Sequence, residues 1–207
     1  MLTNYLKIAF RNLWKRKLFS GINLLGLGIA IAASLLLFLT TLHEFSYDRF
    51  HENEDQLYRV YMEENLSTGV ERQSNMQVPL QPAILEAFPE MEHASRWKNS
   101  GGVVYFGDNI SGESIRYADA GFFQMFSFKF IKGDPETALQ DLNGVVLPER
   151  SVKRIFKDED PIGQMLTVVD AGKRMSVEVR GVIEDTPENS SLELGLIMRF
   201  ENDPEYL

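Results

Sequence analysis

The sequence predicts a membrane-anchored α+β protein with an N-terminal amphipathic helix, one transmembrane helix and a mixed α+β exported domain. A run of 25 residues, positions 18–42, has no charged side chain. Basic residues precede the run and acidic residues follow it. Beyond it, apolar residues recur with both strand and helix periods. We therefore divide the chain into an interfacial helix (1–17), a transmembrane helix (18–43) and an exported domain (44–207).

The uncharged run is long enough to cross a bilayer, because a hydrocarbon core of about 30 Å needs about 20 apolar residues in a helix. Residues 30–32 also match the A-x-A pattern of a signal-peptide cleavage site. Cleavage there would leave a mature chain that begins with strongly apolar sequence, so we favour a permanent anchor in the lipid bilayer. The lack of cysteine excludes a lipoprotein.

Charge sets the predicted orientation of this anchor. The positive-inside rule places the basic N-terminus in the cytoplasm and everything after residue 43 on the exported side. Since five of the 21 basic residues precede position 18, 16 remain in the rest of the chain against all 30 acidic residues. An exported part this acidic excludes nucleic acid as a partner. The five membrane-interface basic residues are Lys7, Arg11, Lys15, Arg16 and Lys17.

The first 17 residues have the pattern of an amphipathic helix. Lys7, Arg11 and Lys15 lie four apart, on a different side from the apolar positions. Such a helix would lie in the cytoplasmic interface, with its cations against anionic lipid. The alternative is an ordinary start to the membrane helix, flanked by orienting charges, and it gives the same topology. The apolar positions are Leu2, Leu6, Ala9, Phe10, Leu13 and Trp14.

Small residues form a stripe along the predicted transmembrane helix. Gly26, Ala30 and Ser34 are spaced four apart, a spacing that lets a second helix approach closely. Glycine and alanine are also common in membrane helices without such a role. If the stripe packs against helices, those helices are not in this chain.

The exported domain reads as α+β, with several strands and two short helices. Zero cysteines mean that its stability cannot depend on disulfides. A helical period from Leu80 stops at Pro89, and a second short helix fits residues 149–156. Strand patterns occur at residues 58–62, 103–106, 114–117 and 126–131, and at Val177, Val179 and Ile183 around Gly181.

Five phenylalanines lie within nine residues of the exported domain. Their large apolar area favours a place in the hydrophobic core. The functional alternative is an exposed aromatic surface that receives a hydrophobic substrate or a partner protein. These residues are Phe122, Phe123, Phe126, Phe128 and Phe130.

The chemical motifs are weak, and nothing in them favours an enzyme. His43, Glu44, Asp48, His51 and Glu52 do not have H-E-x-x-H spacing, so we interpret them as a solvated polar stretch rather than a metal site. Neither a G-x-S-x-G elbow nor a cysteine nucleophile is present. No G-x-x-x-x-G-K-[ST] loop occurs, so this chain is not predicted to bind ATP. We predict no catalytic residue, no metal and no cofactor.

Four segments of the chain resemble, in order, the MacB/FtsX-type permeases of ABC transporters. They are YDRFHENEDQLYRVY from Tyr47, FFQMFSFKFIKGDPETAL from Phe122, VVLPERSVKRIFKDEDPIGQ from Val145 and VEVRGVIEDTPENSS from Val177. The resemblance implies a MacB-like periplasmic core domain. Two departures affect loops, since Lys157 stands where a glycine is expected and Ser191 where a histidine is usual.

The resemblance implies a permease subunit in the bacterial inner membrane. Its partners would be a cytoplasmic ABC ATPase subunit, which binds the ATP, a second permease copy or paralogue, and a periplasmic protein. Members of this family act in efflux, in lipoprotein handling or as mechanotransmission devices. The substrate and the direction of transport do not follow from the sequence.

One feature conflicts with this family, whose permeases have at least four membrane helices. No further run of 18 apolar residues follows residue 42. We therefore expect the chain to be an N-terminal portion of a longer permease, with a partial periplasmic domain, or a truncated reading frame. The alternative is a single-pass anchored periplasmic sensor or adaptor that binds a ligand or partner.

Overall fold

The computed structural model describes residues 2–67 and 69–206, in two compact units, Met1–Tyr47 and Asp48–Leu207. The first unit contains helices α1 (Leu2–Lys15) and α2 (Lys17–Glu44). Within the described residues, α2 is the one helix long and apolar enough to cross a membrane. The predicted apolar face of α1 depends mainly on side chains outside the described part of the structure, namely those of Leu2, Leu6, Ala9 and Phe10.

The second unit is a mixed α+β domain, as the sequence predicts. Its short helices are α3 (Leu80–Ala87), α4 (Phe122–Met125) and α5 (Glu149–Ile155). Two 3₁₀ turns cover Glu54–Gln56 and Phe200–Asn202. The strands are β1 (Met62–Leu66), β2 (Gly69–Gln73), β3 (Trp97–Phe106), β4 (Asn109–Ala118), β5 (Phe130–Gly133), β6 (Gly144–Pro148), β7 (Met165–Asp170), β8 (Lys173–Ile183) and β9 (Leu196–Arg199).

Six strands close into a barrel. The order is β8, β6, β9, β4, β3 and β7, and β7 pairs again with β8. This closure is possible because β8 is long. Its residues 173–178 pair with β7, and its residues 178–183 pair with β6. The short β5 adds to the far end of β8, while β1 and β2 form a separate hairpin.

Alternation along the strands separates two hydrophobic cores. On β6, Val145 and Leu147 join the core inside the barrel, whereas Val146 between them joins a second core outside it. One residue of β8 is skipped in the pairing with β6, next to Gly181. A Cβ at Gly181 would lie 2.7 Å from the ring of Phe130, so this glycine lets the ring lie on the strand.

The periodicity correctly predicts α3, the strands around residues 103–106 and 114–117, α5 and β8. It is wrong for Tyr58 to Tyr61, which form no strand, and for Phe126 to Lys129, which precede β5. It also misses α4. Alternating aromatic residues imitate a strand here because their rings fill the outer core from a helical turn and a loop.

The two departures from the family pattern have different consequences. Lys157 follows the last turn of α5 with a φ of 56°, the left-handed conformation that glycine adopts most easily. The loop therefore keeps the geometry expected of a glycine, with a lysine in it. Ser191 lies in an exposed position and contributes its backbone N–H to the contact described below.

Candidate functional site

The segment that follows α2 in the chain is attached to the domain through Asp48. The Asp48 N–H donates to the carbonyl of Asn189 at 2.9 Å. Its carboxylate accepts the N–H of Ser191 at 2.8 Å, and its φ is 58°. Aspartate tolerates this left-handed conformation better than most residues because its short polar side chain can hydrogen-bond locally. We call residues 48–56 the juxtamembrane segment.

His51 makes a second attachment of this segment. Its Nδ1 accepts the N–H of Ser127 at 3.1 Å, and the N–H of Glu52 donates to Ser127 Oγ at 3.0 Å. Two adjacent residues of the segment thus hold the N–H and the hydroxyl of one serine. Because a backbone N–H donates to Nδ1, the neutral imidazole carries its proton on Nε2.

The His51 ring is 3% exposed and lies among aromatic rings. Its centroid is 4.1 Å from that of Phe50, 5.2 Å from Phe126 and 5.1 Å from Phe128. Burial lowers the pKa of His51, against the opposing effect of the Asp48 and Glu54 carboxylates. Nε2 is buried and has no hydrogen-bond partner among the described residues.

The five phenylalanines form the wall against which this segment packs. Phe122, Phe123 and Phe128 are buried, which makes the exposed partner surface wrong for these three. Phe126 and Phe130 are partly buried and pack on the same outer core. The rings bury more area in this core than on a surface, which is the physical reason for the correction.

A polar cleft of about 270 Å³ lies between α3 and the barrel. Arg96 donates to both carboxylate oxygens of Asp119, and its guanidinium lies 4.2 Å from the ring centroid of Phe200. Arg199 pairs with Glu201 at 2.9 Å. These charges neutralise one another across the loops, so the cleft reads as a structural junction. The sequence analysis missed it because Arg96 and Glu201 are distant in the chain.

The remaining predicted residues lie in the first unit. The five basic residues from Lys7 to Lys17 are exposed, and Lys17 Nζ lies 5.5 Å from the ring centroid of Trp14. In the stripe, Ser34 Oγ donates to the carbonyl of Ala30 at 2.8 Å, which satisfies its hydroxyl within the helix. A Cβ at Gly26 would meet no atom within 4 Å. Packing of another helix on this face stays a prediction.

The structure brings only part of the predicted polar stretch together. Asp48, His51 and Glu52 contact two loops of the domain, and each contact uses a backbone N–H or a serine hydroxyl. Within residues 2–67 and 69–206, no group of three or more His, Asp or Glu side chains is arranged to hold a metal ion. The distant partners of this segment, at residues 127 and 189–191, carry no sequence signal that identifies them.

A candidate transmembrane helix and a barrel domain with an attached juxtamembrane segment define an anchored exported domain. The family profile described as MacB-like periplasmic core domain matches residues 20–203. The chain therefore belongs to this family, and the resemblance to MacB/FtsX-type permeases is confirmed. A comparison with curated proteins finds no match.

Solved structures share the fold. A domain of a protein assigned as a permease from Porphyromonas gingivalis has 23% identity and a TM-score of 0.55, covering 68% of this chain and 60% of that one. The periplasmic region of MacB from Actinobacillus actinomycetemcomitans has 19% identity and a TM-score of 0.42, covering 58% and 55%. The extracellular domain of the noncanonic ABC-type transporter YknZ from Gram-positive bacteria has 11% identity and a TM-score of 0.44, covering 59% and 62%. The chain thus spans less than two thirds of each of these solved chains.

Proposed function

We propose that the chain is the N-terminal part of a permease subunit of a MacB/FtsX-type ABC transporter. A separate cytoplasmic ATPase hydrolyses ATP, and this subunit, with a second permease copy or paralogue, converts that hydrolysis into periplasmic movement. The movement serves efflux, lipoprotein handling or mechanotransmission. The family match over residues 20–203 supports this proposal. The subunit itself binds no cofactor and performs no bond chemistry.

The proposed orientation puts the N-terminus in the cytoplasm and the domain in the periplasm of the inner membrane. Five basic residues before α2 and an acidic domain after it support this orientation. The absence of cysteine allows a direct test, because a single introduced thiol is then the one reactive site. We expect Ile110→Cys to react with an impermeant maleimide in cells with a permeable outer membrane, and Lys7→Cys to react only after lysis. The reverse pattern would refute the orientation.

The double attachment of the juxtamembrane segment carries the mechanistic part of the proposal. Asp48 holds the loop at residues 189–191, and His51 with Glu52 holds Ser127. Both loops adjoin the outer core of the closed barrel. A displacement of the segment is therefore delivered to a closed sheet, which moves as a body because its strands have few free edges.

A nucleotide-dependent distance measurement tests this mechanism in the complete permease assembled with its ATPase. A spin label at Ile110→Cys, an exposed position between β3 and β4, reports the distance between the two periplasmic domains. We expect ATP to change this distance in the parent. We expect a smaller change with Asp48→Ala, because the carboxylate contact to Ser191 is lost, at an unchanged rate of ATP hydrolysis.

Asp55→Ala is the matched control, since Asp55 is an exposed carboxylate on the same segment. This variant should keep the full distance change. An equal distance change in the Asp48 and Asp55 variants would refute the role of the attachment. A parent distance that ignores ATP, with an active ATPase bound, would refute the permease proposal itself.

A single-pass periplasmic sensor or adaptor is the second candidate. It is favoured by one observation, that α2 is the one membrane-length helix among the described residues. Affinity purification of the protein from its native membrane distinguishes the two functions. Recovery of a stoichiometric ATPase subunit supports the permease, and purification without one supports the sensor.

A further inference from the structure

The His51 imidazole occupies a site suited to its neutral form. Nδ1 must be unprotonated to accept the N–H of Ser127, and Nε2 is enclosed without a partner. Three phenylalanine rings lie within 5.2 Å, measured between centroids. A cation in this site would lose its water without gaining a hydrogen-bond acceptor at either ring nitrogen.

Protonation would break the attachment at its centre. A proton on Nδ1 would point at the N–H of Ser127, so that a hydrogen bond becomes a contact between two donors. The imidazolium could regain water only if the segment moved away from Ser127. The contact between Glu52 N–H and Ser127 Oγ would open with it, because both bonds use the same serine.

Few charges oppose this outcome. On its own segment, His51 experiences the carboxylates of Asp48 and Glu54, which favour the cation but do not prevent a lowered pKa. On the loop packed against the ring, the neighbours are Phe126, Ser127 and Phe128, which carry no charge. Lys129 on that loop is exposed and paired with Glu184. Glu188, on the loop held by Asp48, is exposed.

We propose that His51 is a pH-sensitive latch, whose protonation releases the juxtamembrane segment from the loop at Ser127. As a regulator of coupling, the latch rests on the function proposed above. As a property of this chain, it stands on the buried imidazole alone. Acidification of the compartment that holds the domain would then loosen the domain from the segment, and neutral pH would fasten it.

The direction of the pH effect follows from the lowered pKa. An unfolded or released histidine titrates near 6.5, above the pKa in the attached state. The released state therefore binds more protons at mildly acidic pH. The attachment is fully stable above the released pKa and weakens as the pH falls through it toward the lower pKa, by at most about tenfold in the opening equilibrium per pH unit.

Hydrogen exchange on the full chain in micelles tests the latch, between about pH 7.5 and about pH 5. After correction for intrinsic exchange, the amide of Ser127 should lose protection as the pH falls, while that of Val146 in the barrel should not. His51→Gln retains an acceptor but cannot titrate, so its protection should stay constant. His93→Gln, at an exposed histidine, should behave as the parent does.

Several results would overturn the latch. One is constant protection of Ser127 in the parent across the whole pH range. Another is an equal loss of protection in the parent and in His51→Gln. If His51→Gln fails to fold, the NMR titration of the parent His51 ring decides, since its midpoint must coincide with the loss of protection. No ATPase enters these measurements, so a failed latch leaves the permease proposal intact, and a failed permease proposal leaves the latch testable.

Discussion

The barrel, residues 97–199, and the segment of residues 57–95 belong to one compact unit but differ in how their structure is held. The barrel strands bury side chains on both faces, in an inner and an outer core. Among the described residues between 52 and 103, none is buried. This segment still contains a paired hairpin and the helix α3. Its regular structure therefore comes from local hydrogen bonds, with little support from burial.

This difference shows that regular secondary structure and stability are separate properties. A two-stranded hairpin on its own is marginally stable in water, whereas a closed barrel has few free edges and encloses its apolar side chains. Substitutions of the same kind should therefore have unequal effects in the two regions. Urea unfolding followed by Trp97 fluorescence measures these effects, with Trp14→Phe in every variant to remove the signal of the second tryptophan.

The largest difference is expected for leucine truncation. Leu147→Ala removes a fully buried side chain from β6 and should lower the free energy of unfolding by about 2–5 kcal/mol, because a cavity remains. Leu66→Ala makes the same change on β1, where the side chain is 42% exposed, and should alter stability by less than about 0.5 kcal/mol. Equal losses at the two positions would mean that the hairpin has a core of its own.

A smaller difference is expected for the two carboxylates that pair with arginine. Glu113 is buried and accepts bonds from Ser111, Ser151 and Arg154. Its replacement by alanine leaves two buried hydroxyls without their acceptor and should cost about 2–3 kcal/mol. Glu63→Ala breaks the exposed pair with Arg72 and should cost less than about 0.5 kcal/mol. The same urea titration compares them, and a loss of more than about 1 kcal/mol for Glu63→Ala would contradict this ranking.

The smallest effect is expected at the left-handed residues. Lys157→Gly should raise the free energy of unfolding by about 1 kcal/mol, because glycine adopts a φ of 56° without a steric penalty. Asp48→Gly relieves the same penalty at a φ of 58° but loses the acceptor for Ser191. It should therefore give no gain. A stabilised Asp48→Gly would show that the carboxylate contact contributes nothing to the attachment.

Local patterns predicted the elements whose periodicity matched their burial. The helical period ending at Pro89 gave α3, and the alternation around Gly181 gave β8. The same reasoning failed at Tyr58 to Tyr61, where alternating residues face water in an unpaired segment. Alternation reports which residues could share a face of a strand. It does not report whether a partner strand is present.

The candidate site was predictable only in part. Asp48, His51 and Glu52 stood out as a polar stretch after the membrane span, but their chemistry was read for metal binding. Their actual partners lie 75 to 143 residues further along the chain. Those partners are mostly backbone N–H groups, which every residue except proline carries, so residue identity gives no signal for them.

By itself the sequence determined the membrane anchor, the charge asymmetry and the family, since each depends on composition or on order along the chain. Only the tertiary structure decided that the phenylalanines lie in a core, that β8 closes a barrel and that the His51 imidazole lacks a partner at Nε2. The physical reason is that burial and hydrogen bonding depend on contacts between distant residues. A hydrophobic pattern limits such contacts without specifying them.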